Sequence, residues 1–285
     1  LEYYELKAVD YMIDIKNLSK SYGELKVLED INLHIKEGEF VSIIGPSGCG
    51  KSTLINIIAG LDKASSGKIF MEDKEICEPD IDRIMVFQNA ALFPWLNVYD
   101  NVSFGLKNVC KDSKEIKEKV EAILRKVHLY RFKDNYPHEL SGGMKQRVSI
   151  ARSIVMDPKI LLMDEPFSAL DEQTRMLLHD ELQQIWIETK KTILFVTHNI
   201  REAVKLSDRV IILGIRPGTV VDDIRIDISH PRQATDSNLY HMEKLVFNKL
   251  KKEIEKVVRE ELGDEYKFEK DTVSDRNSNT MGDGI

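Results

Sequence analysis

The chain has 285 residues, 42% of them hydrophobic and 31% charged, enough for one large or two modest domains with a substantial core. Its formal net charge is −7, which argues against a nucleic-acid-binding role, because such domains are usually basic. No apolar run approaches the ~20 residues that cross a bilayer, and no basic stretch followed by an apolar one marks an N-terminal export signal.

Residues 1–11 read as an N-terminal extension. Residues 12–18 alternate apolar and polar side chains, as a half-buried strand does. Ser19-Lys20-Ser21-Tyr22-Gly23 reads as a turn, and residues 27–35 as a second strand. Tyr22 either stacks on a base or packs on the sheet as an ordinary turn tyrosine, and its sequence context alone favours the second. The apolar run Phe40-Val41-Ser42-Ile43-Ile44 predicts a buried parallel strand.

That strand feeds Gly45-Pro46-Ser47-Gly48-Cys49-Gly50-Lys51-Ser52-Thr53, which fits the phosphate-loop pattern G-x-x-x-x-G-K-S/T without a mismatch. Residues 54–60 follow as a helix closed by Gly60. Strand, glycine loop and helix aim backbone N–H groups and a helix N-terminus at one point, an anion site suited to polyphosphate. Lys51 is expected to reach the β- and γ-phosphates and the Ser52 hydroxyl to ligate Mg²⁺. The cysteines Cys49, Cys77 and Cys110 show no metal-ligand spacing and read as free thiols of a reducing compartment. Cys49 lies in the loop, where alkylation would block nucleotide, but nothing makes it catalytic.

Residues 68–71 and 84–87 are short strand candidates. Gln88 ends the second, where an amide oxygen can serve Mg²⁺ or orient a water, although an isolated glutamine is more often a solvated loop residue. The cluster Leu92-Phe93-Pro94-Trp95-Leu96 falls in a loop. Residues 111–126 form a charged amphipathic helix with Ile116, Val120, Ile123, Leu124 and Val127 at helical spacing. The stretch 89–155 lacks a clear strand and reads as a helical insertion.

Leu140-Ser141-Gly142-Gly143-Met144 then opens a helix. Ser141 suits an N-cap, and the glycine pair suits a second anion site. Two such sites imply two nucleotides, or one nucleotide shared between two chains. Ile160-Leu161-Leu162-Met163 is an apolar strand delivering Asp164 and Glu165 at its C-terminal end. Asp164 is placed to hold the Mg²⁺ shell and Glu165 to polarise a water for in-line attack. Ser168-Ala169-Leu170-Asp171 forms the next turn, with Asp171 capping a helix through Ile187. Residues 192–197 form a buried strand ending at His198, in the class of position where a γ-phosphate lies. A further strand at 209–213, a hairpin turn at Pro217-Gly218 and a strand at 219–221 follow, and His230-Pro231-Arg232 reads as the end of the compact domain. Residues 239–262 are one amphipathic helix, and the polar tail from 264 has a disordered composition.

These motifs, in this order and spacing, resemble the ATP-binding cassette (ABC) ATPases over residues 12–232. The resemblance implies an α/β P-loop NTPase core with a mixed sheet and a helical subdomain at about 89–155, then a C-terminal helix and tail at 233–285. It implies that ATP and Mg²⁺ are the cofactors. It makes Tyr22 the adenine-stacking residue, residues 45–53 the phosphate loop, and Gln88 the Mg²⁺ and coupling glutamine. It makes Ser141, Gly142 and Gly143 part of the signature that contacts ATP held by a second copy of the chain. Asp164 becomes the Mg²⁺ carboxylate, Glu165 the general base, and His198 the γ-phosphate switch, with Lys51 and Asp171 also at the nucleotide.

Leu92-Phe93-Pro94-Trp95-Leu96-Asn97-Val98, the signature continued through Lys145-Gln146-Arg147, Asp164-Glu165-Pro166-Phe167 and Arg216-Pro217-Gly218 more closely resemble the ATPase subunits of nitrate, sulfonate and taurine importers. Met144 and Asn199 depart from the broad family pattern, where Gln and Asp are commoner, and neither replaces a catalytic group. The importer resemblance implies two transmembrane permease subunits docking near Phe93, Pro94 and Trp95, and an extracytoplasmic substrate-binding protein. It also implies a peripheral location at the cytoplasmic face of the cell (inner) membrane and no nucleic-acid partner. The competing expectations are a soluble cassette ATPase of DNA repair or translation, and a non-hydrolysing interaction module. The intact Lys51, Asp164 and Glu165 argue against the latter.

Overall fold

A computed structural model describes residues 11–233 and 236–262. Residues 1–10 of the N-terminal extension and the polar tail from 264 lie outside them. The strands are β1 (Tyr11–Tyr22), β2 (Leu25–Lys36), β3 (Phe40–Ile44), β4 (Ser66–Met71), β5 (Lys74–Glu75), β6 (Arg83–Val86), β7 (Ile160–Asp164), β8 (Thr192–Val196), β9 (Arg209–Leu213) and β10 (Val220–Arg225). The helices are α1 (Lys51–Ile58), α2 (Val98–Val109), α3 (Ser113–Lys126), α4 (Gly142–Ile154), α5 (Glu172–Thr189), α6 (Ile200–Leu206) and α7 (Ser237–Leu262).

The strands form two sheets rather than one. An antiparallel sheet runs β2-β1-β4-β5. In β1, Ile13, Ile15 and Leu18 are fully buried and pack with Ile31 and Ile35 of β2. The strand does not stop at Leu18. Ser19 to Tyr22, expected as a turn, continue the ladder, and the chain reverses only at Gly23 and Glu24. Lys20 explains the misreading, because this charged residue is only 8% exposed. Its Nζ donates to Asp62 Oδ1 at 2.6 Å and to Lys63 O at 2.7 Å, which offsets the cost of burying the charge.

The second sheet runs β10-β9-β3-β8-β7-β6 and is mixed, with β10 antiparallel at one edge and the other pairings parallel. Every residue of β3 and of β8 is buried, as befits strands covered on both faces. Register fixes the working edge. Ile43 and Asp164 both pair with Val196, so the residues following β3, β7 and β8 leave the sheet side by side. Ligand sites of open α/β sheets form at such carboxyl edges.

Helices α2, α3 and α4 share a core of their own, including Val102, Val120, Leu124 and Val148. Asn97 and Asp112 cap α2 and α3 by accepting from backbone N–H groups. The long helix α7 packs on its own domain: Leu239, Val246 and Leu250 meet Ala203, Val204, Val210 and Ile224.

His230-Pro231-Arg232 does not end the compact unit. Arg232 is 2% exposed and donates to Val204 O and Ser207 O at 2.7 Å. It also donates to Ile226 O at 3.1 Å and Ile228 O at 2.7 Å. Burial lowers its pKa to about 10. The side chain closes the C-terminal end of α6, whose last carbonyls lack helical partners. Arg232→Met keeps the length and strands these carbonyls. We expect it to cost ~2–4 kcal/mol, read as a lower urea midpoint at unchanged slope.

Candidate nucleotide site

The loop between β3 and α1 is shaped by its neighbours. Gly50 stands at φ +97°, a left-handed conformation, and a Cβ there would lie 2.6 Å from Leu28 Cδ2. Gly218 presses on the loop from behind, where a Cβ would lie 2.1 Å from Cys49 O. Its own N–H donates to Val27 O at 2.9 Å, and its carbonyl accepts from Glu29 N at 3.0 Å. The Pro217-Gly218 turn therefore props the loop against β2, a role that its hairpin signal did not announce.

Lys51 opens α1 and is 7% exposed. Its Nζ donates to Gly45 O at 2.9 Å and Pro46 O at 3.0 Å, and lies 3.8 Å from Cys49 Sγ. The ammonium thus sits inside the curl of the loop, held by acceptors that a phosphate oxygen can replace. Burial pushes the Cys49 thiol above its usual pKa, so it stays protonated beside this lysine. Ser47, Gly48 and Ser52 are exposed at the mouth, with Thr53 half-buried behind them.

The acidic pair completes the edge. Ser52 Oγ donates to Asp164 Oδ1 at 3.2 Å. Burial raises the Asp164 pKa, opposed by that hydroxyl. Glu165 leaves the strand at φ +46°, its N–H bonded to Val196 O at 2.9 Å. Its carboxylate Oε2 lies 3.0 Å from His198 Nδ1. The structure therefore joins Lys51, Ser52, Asp164, Glu165 and His198 at one sheet edge.

Tyr22 ends β1 with its ring 51% exposed and Lys20 Nζ 4.5 Å from the ring centroid. Its hydroxyl donates to Asp62, which holds the phenol above its usual pKa. Gln88 is exposed two residues after β6.

Ser141, Gly142, Gly143 and Asp171 are not brought to this cluster. Ser141 caps α4, accepting from Met144 N at 3.3 Å. Asp171 caps α5, accepting from Thr174 N at 2.9 Å, and these backbone bonds hold its pKa down. Gly143 packs against that same Thr174, so the signature turn and the 168–171 turn support each other. Ser141 and Gly142 remain exposed. Asn199, the departure after His198, caps α6 by accepting from Arg201 N at 2.9 Å and Glu202 N at 3.4 Å, work that an aspartate does equally well.

Residues 28–168 match the family model described as ABC transporter. The chain is 45% identical over 262 residues to an uncharacterized ABC transporter ATP-binding protein of Methanocaldococcus jannaschii, covering 90% of this chain and 98% of that protein. The chain belongs to the ABC transporter ATP-binding proteins. The cassette is 44% identical over 227 residues to the aliphatic sulfonates import ATP-binding protein SsuB of Bacillus thuringiensis subsp. konkukian, covering 80% of this chain and 89% of the relative. It also superposes, at TM-score 0.67 and 35% identity, on a dimeric ATP-binding cassette, MJ0796, in a post-hydrolysis state bound to ADP and Pi. That match covers 76% of this chain and all of the other. This protein is thus an ABC ATPase, and its two-sheet core with a helical segment is the fold of that family.

Two features bear on Mg²⁺. Among the described residues no group of three or more His, Cys, Asp or Glu side chains could hold a metal by itself. Ser52 Oγ and Asp164 Oδ1 instead offer two hard oxygens beside the phosphate loop. That donor set fits a small cation that takes its other ligands from phosphate and water. No helix among the described residues is long and apolar enough to cross a membrane.

Proposed function

We propose that this cassette is the ATP-hydrolysing subunit of an importer for small solutes of the nitrate, sulfonate or taurine class. The observation that carries the chemistry is the run of contacts Ser52–Asp164 and Glu165–His198 beside the buried Lys51. Lys51 exchanges the carbonyls of Gly45 and Pro46 for oxygens of the β- and γ-phosphates. Ser52 and Asp164 would hold Mg²⁺, with Gln88 as a further ligand and coupling residue, and the ion would supply charge to offset that of the phosphates. Glu165 accepts the proton of the attacking water, and His198 fixes that carboxylate and meets the γ-phosphate. The exposed ring of Tyr22 offers its face to adenine. Residues 45–53 cradle the phosphates through the loop N–H groups.

Ser141, Gly142 and Gly143 act on the nucleotide of a second copy, which is consistent with the exposure of Ser141 and Gly142 at the start of α4. The dimeric state of the MJ0796 cassette supports this arrangement. Asp171 lies in the turn packed against that signature. Two permease subunits and an extracytoplasmic binding protein complete the assembly, with the cassette peripheral at the cytoplasmic face of the membrane. The name of the sulfonate relative supports the importer assignment. The test is reconstitution with cognate permease subunits and binding protein in vesicles. Solute-dependent stimulation of ATPase activity supports the proposal. An active ATPase that binds no membrane subunit overturns it.

The permease contact falls at the aromatic loop. Trp95 is 70% exposed and Phe93 half-buried, their ring centroids 5.6 Å apart. Phe104, itself 46% exposed, lies 4.5 Å from Phe93. The loop is braced from below, because the Nδ2 of fully buried Asn101 lies within hydrogen-bond distance of Phe93 O, Leu96 O and Asn97 O. A preorganised aromatic anchor of this kind is worth ~2 kcal/mol or more to an interface. Trp95→Ala is expected to weaken co-purification with the permease at least ~10-fold. ATPase rate and melting temperature of the isolated cassette should stay near wild type. An unfolded variant, or one that assembles normally, removes Trp95 from this role.

A further inference from the structure

Glu202 lies outside the nucleotide cluster, in the first turn of α6, yet it is a carboxylate only 4% exposed. A buried carboxylate is stable only when its oxygens are matched by donors. Here each oxygen serves a different segment. Oε2 accepts from the Thr197 hydroxyl at 2.5 Å. The same hydroxyl oxygen accepts from Asn199 N at 2.9 Å, so the residues on both sides of His198 are tied to this one carboxylate. Oε1 lies 3.2 Å from Nε2 of His179, itself 6% exposed on α5, and 3.6 Å from Arg175 Nε.

Arg175 extends the link. Its guanidinium donates to Phe167 O at 3.3 Å and to Leu170 O at 2.7 Å, gripping the turn that follows Glu165. The ring of Phe167 in turn meets the edge of His179, with centroids 5.3 Å apart. One buried carboxylate therefore connects the turn carrying His198 to the turn leaving Glu165. The His198 side chain is 61% exposed, and Glu165 Oε2 is the partner that holds its ring. Its placement consequently depends on the backbone between Thr197 and Asn199.

We propose that Glu202 is a positioning residue for hydrolysis, which sets the His198–Glu165 contact by clamping the Thr197-to-Asn199 turn to Arg175 and His179. The inference rests on the role given to His198 above. Glu202 does not reach the reacting atoms and acts through His198. Loss of the clamp lets the turn drift. The imidazole then leaves the Glu165 carboxylate, while the phosphate loop, built from β3 and α1, keeps its shape and its nucleotide affinity.

The experiment is a double-mutant cycle on the purified chain with Mg-ATP, using Glu202→Gln, Thr197→Val and His198→Ala. Thr197→Val removes only the bridging hydroxyl and decides the question should Glu202→Gln not fold. We expect either variant to lower kcat about tenfold or more, the fold-change of one lost charge-assisted hydrogen bond. The ATP dissociation constant should stay within about twofold, and the second loss should largely vanish when His198 is already alanine. Losses that multiply in full in the His198→Ala background, or a kcat that stays at wild type, overturn the proposal while leaving His198 its role. A wild-type kcat in His198→Ala alone overturns the reading of His198, and this inference with it.

Discussion

Glu165→Gln is expected to bind ATP like wild type and to turn it over roughly 10²–10⁴-fold more slowly. The amide keeps the size of the side chain and still offers its carbonyl oxygen to His198, 3.0 Å away in the native protein. It cannot take a proton from water. The backbone of Glu165, bonded to Val196 O and at φ +46°, is not touched by the change, so folding stability should move little. Single-turnover hydrolysis and equilibrium ATP binding, measured on the same preparation, separate the two effects. With hydrolysis blocked, ATP should accumulate a dimer on size exclusion. A variant that hydrolyses ATP at the native rate would remove Glu165 as the base.

The second large effect concerns the composite site. If the signature serves a partner's nucleotide as proposed, Ser141→Arg should lower hydrolysis by about 10²–10³-fold or more, since it puts a bulky cation at the N-terminus of α4 in place of a small hydroxyl. Binding of ATP to the monomer should persist, because Ser141 is exposed and its hydroxyl serves the cap of α4. Losing that cap costs ~1 kcal/mol, too little to unfold a domain of this size. Mixed with Lys51→Ala, the variant should regain part of the activity. Each mixed dimer then unites an intact phosphate loop from one chain with an intact signature from the other. No recovery on mixing, together with lost monomer binding in both variants, would mean that the signature serves its own chain.

Local sequence carried the phosphate loop because its function depends on residues adjacent in the chain. Glycines, lysine and hydroxyl lie within one turn of a strand and a helix, so spacing alone specifies them. The same holds for Asp164 and Glu165, delivered by a continuous apolar strand. The division into two sheets was not legible, since pairing partners such as β1 and β4 are separated by β2, β3 and α1. Lys20 was misread for a related reason. A lysine in a short polar run looks like a turn until the Asp62 carboxylate arrives from beyond α1 to neutralise it and the Lys63 carbonyl to accept its second hydrogen bond. Asn101, Glu202 and Arg232 share this property. Each is a single buried polar residue: Glu202 and Arg232 draw partners from other elements, Asn101 draws its own from the irregular loop before its helix, and no local pattern distinguishes any of them from a solvated neighbour. The exposure of Trp95 also needed the structure, because an aromatic cluster in a loop reads equally as core.

The strand order has a consequence for how the protein is made. β3, which carries the phosphate loop, is hydrogen-bonded on one side to β8 and on the other to β9. Both neighbours are encoded far downstream, and Gly218, which props the loop from behind, lies beyond even these. On the ribosome the loop emerges early, but its strand has no partner until β8 is made and is flanked on both sides only once Leu213, and then Gly218, have cleared the exit tunnel. The nascent chain up to that point exposes five consecutive apolar or small residues of β3 to the chaperones of the cell. A chain truncated anywhere before β9 lacks one of the two strands that flank β3, and it should fail to retain nucleotide even with residues 45–53 and 164–165 intact.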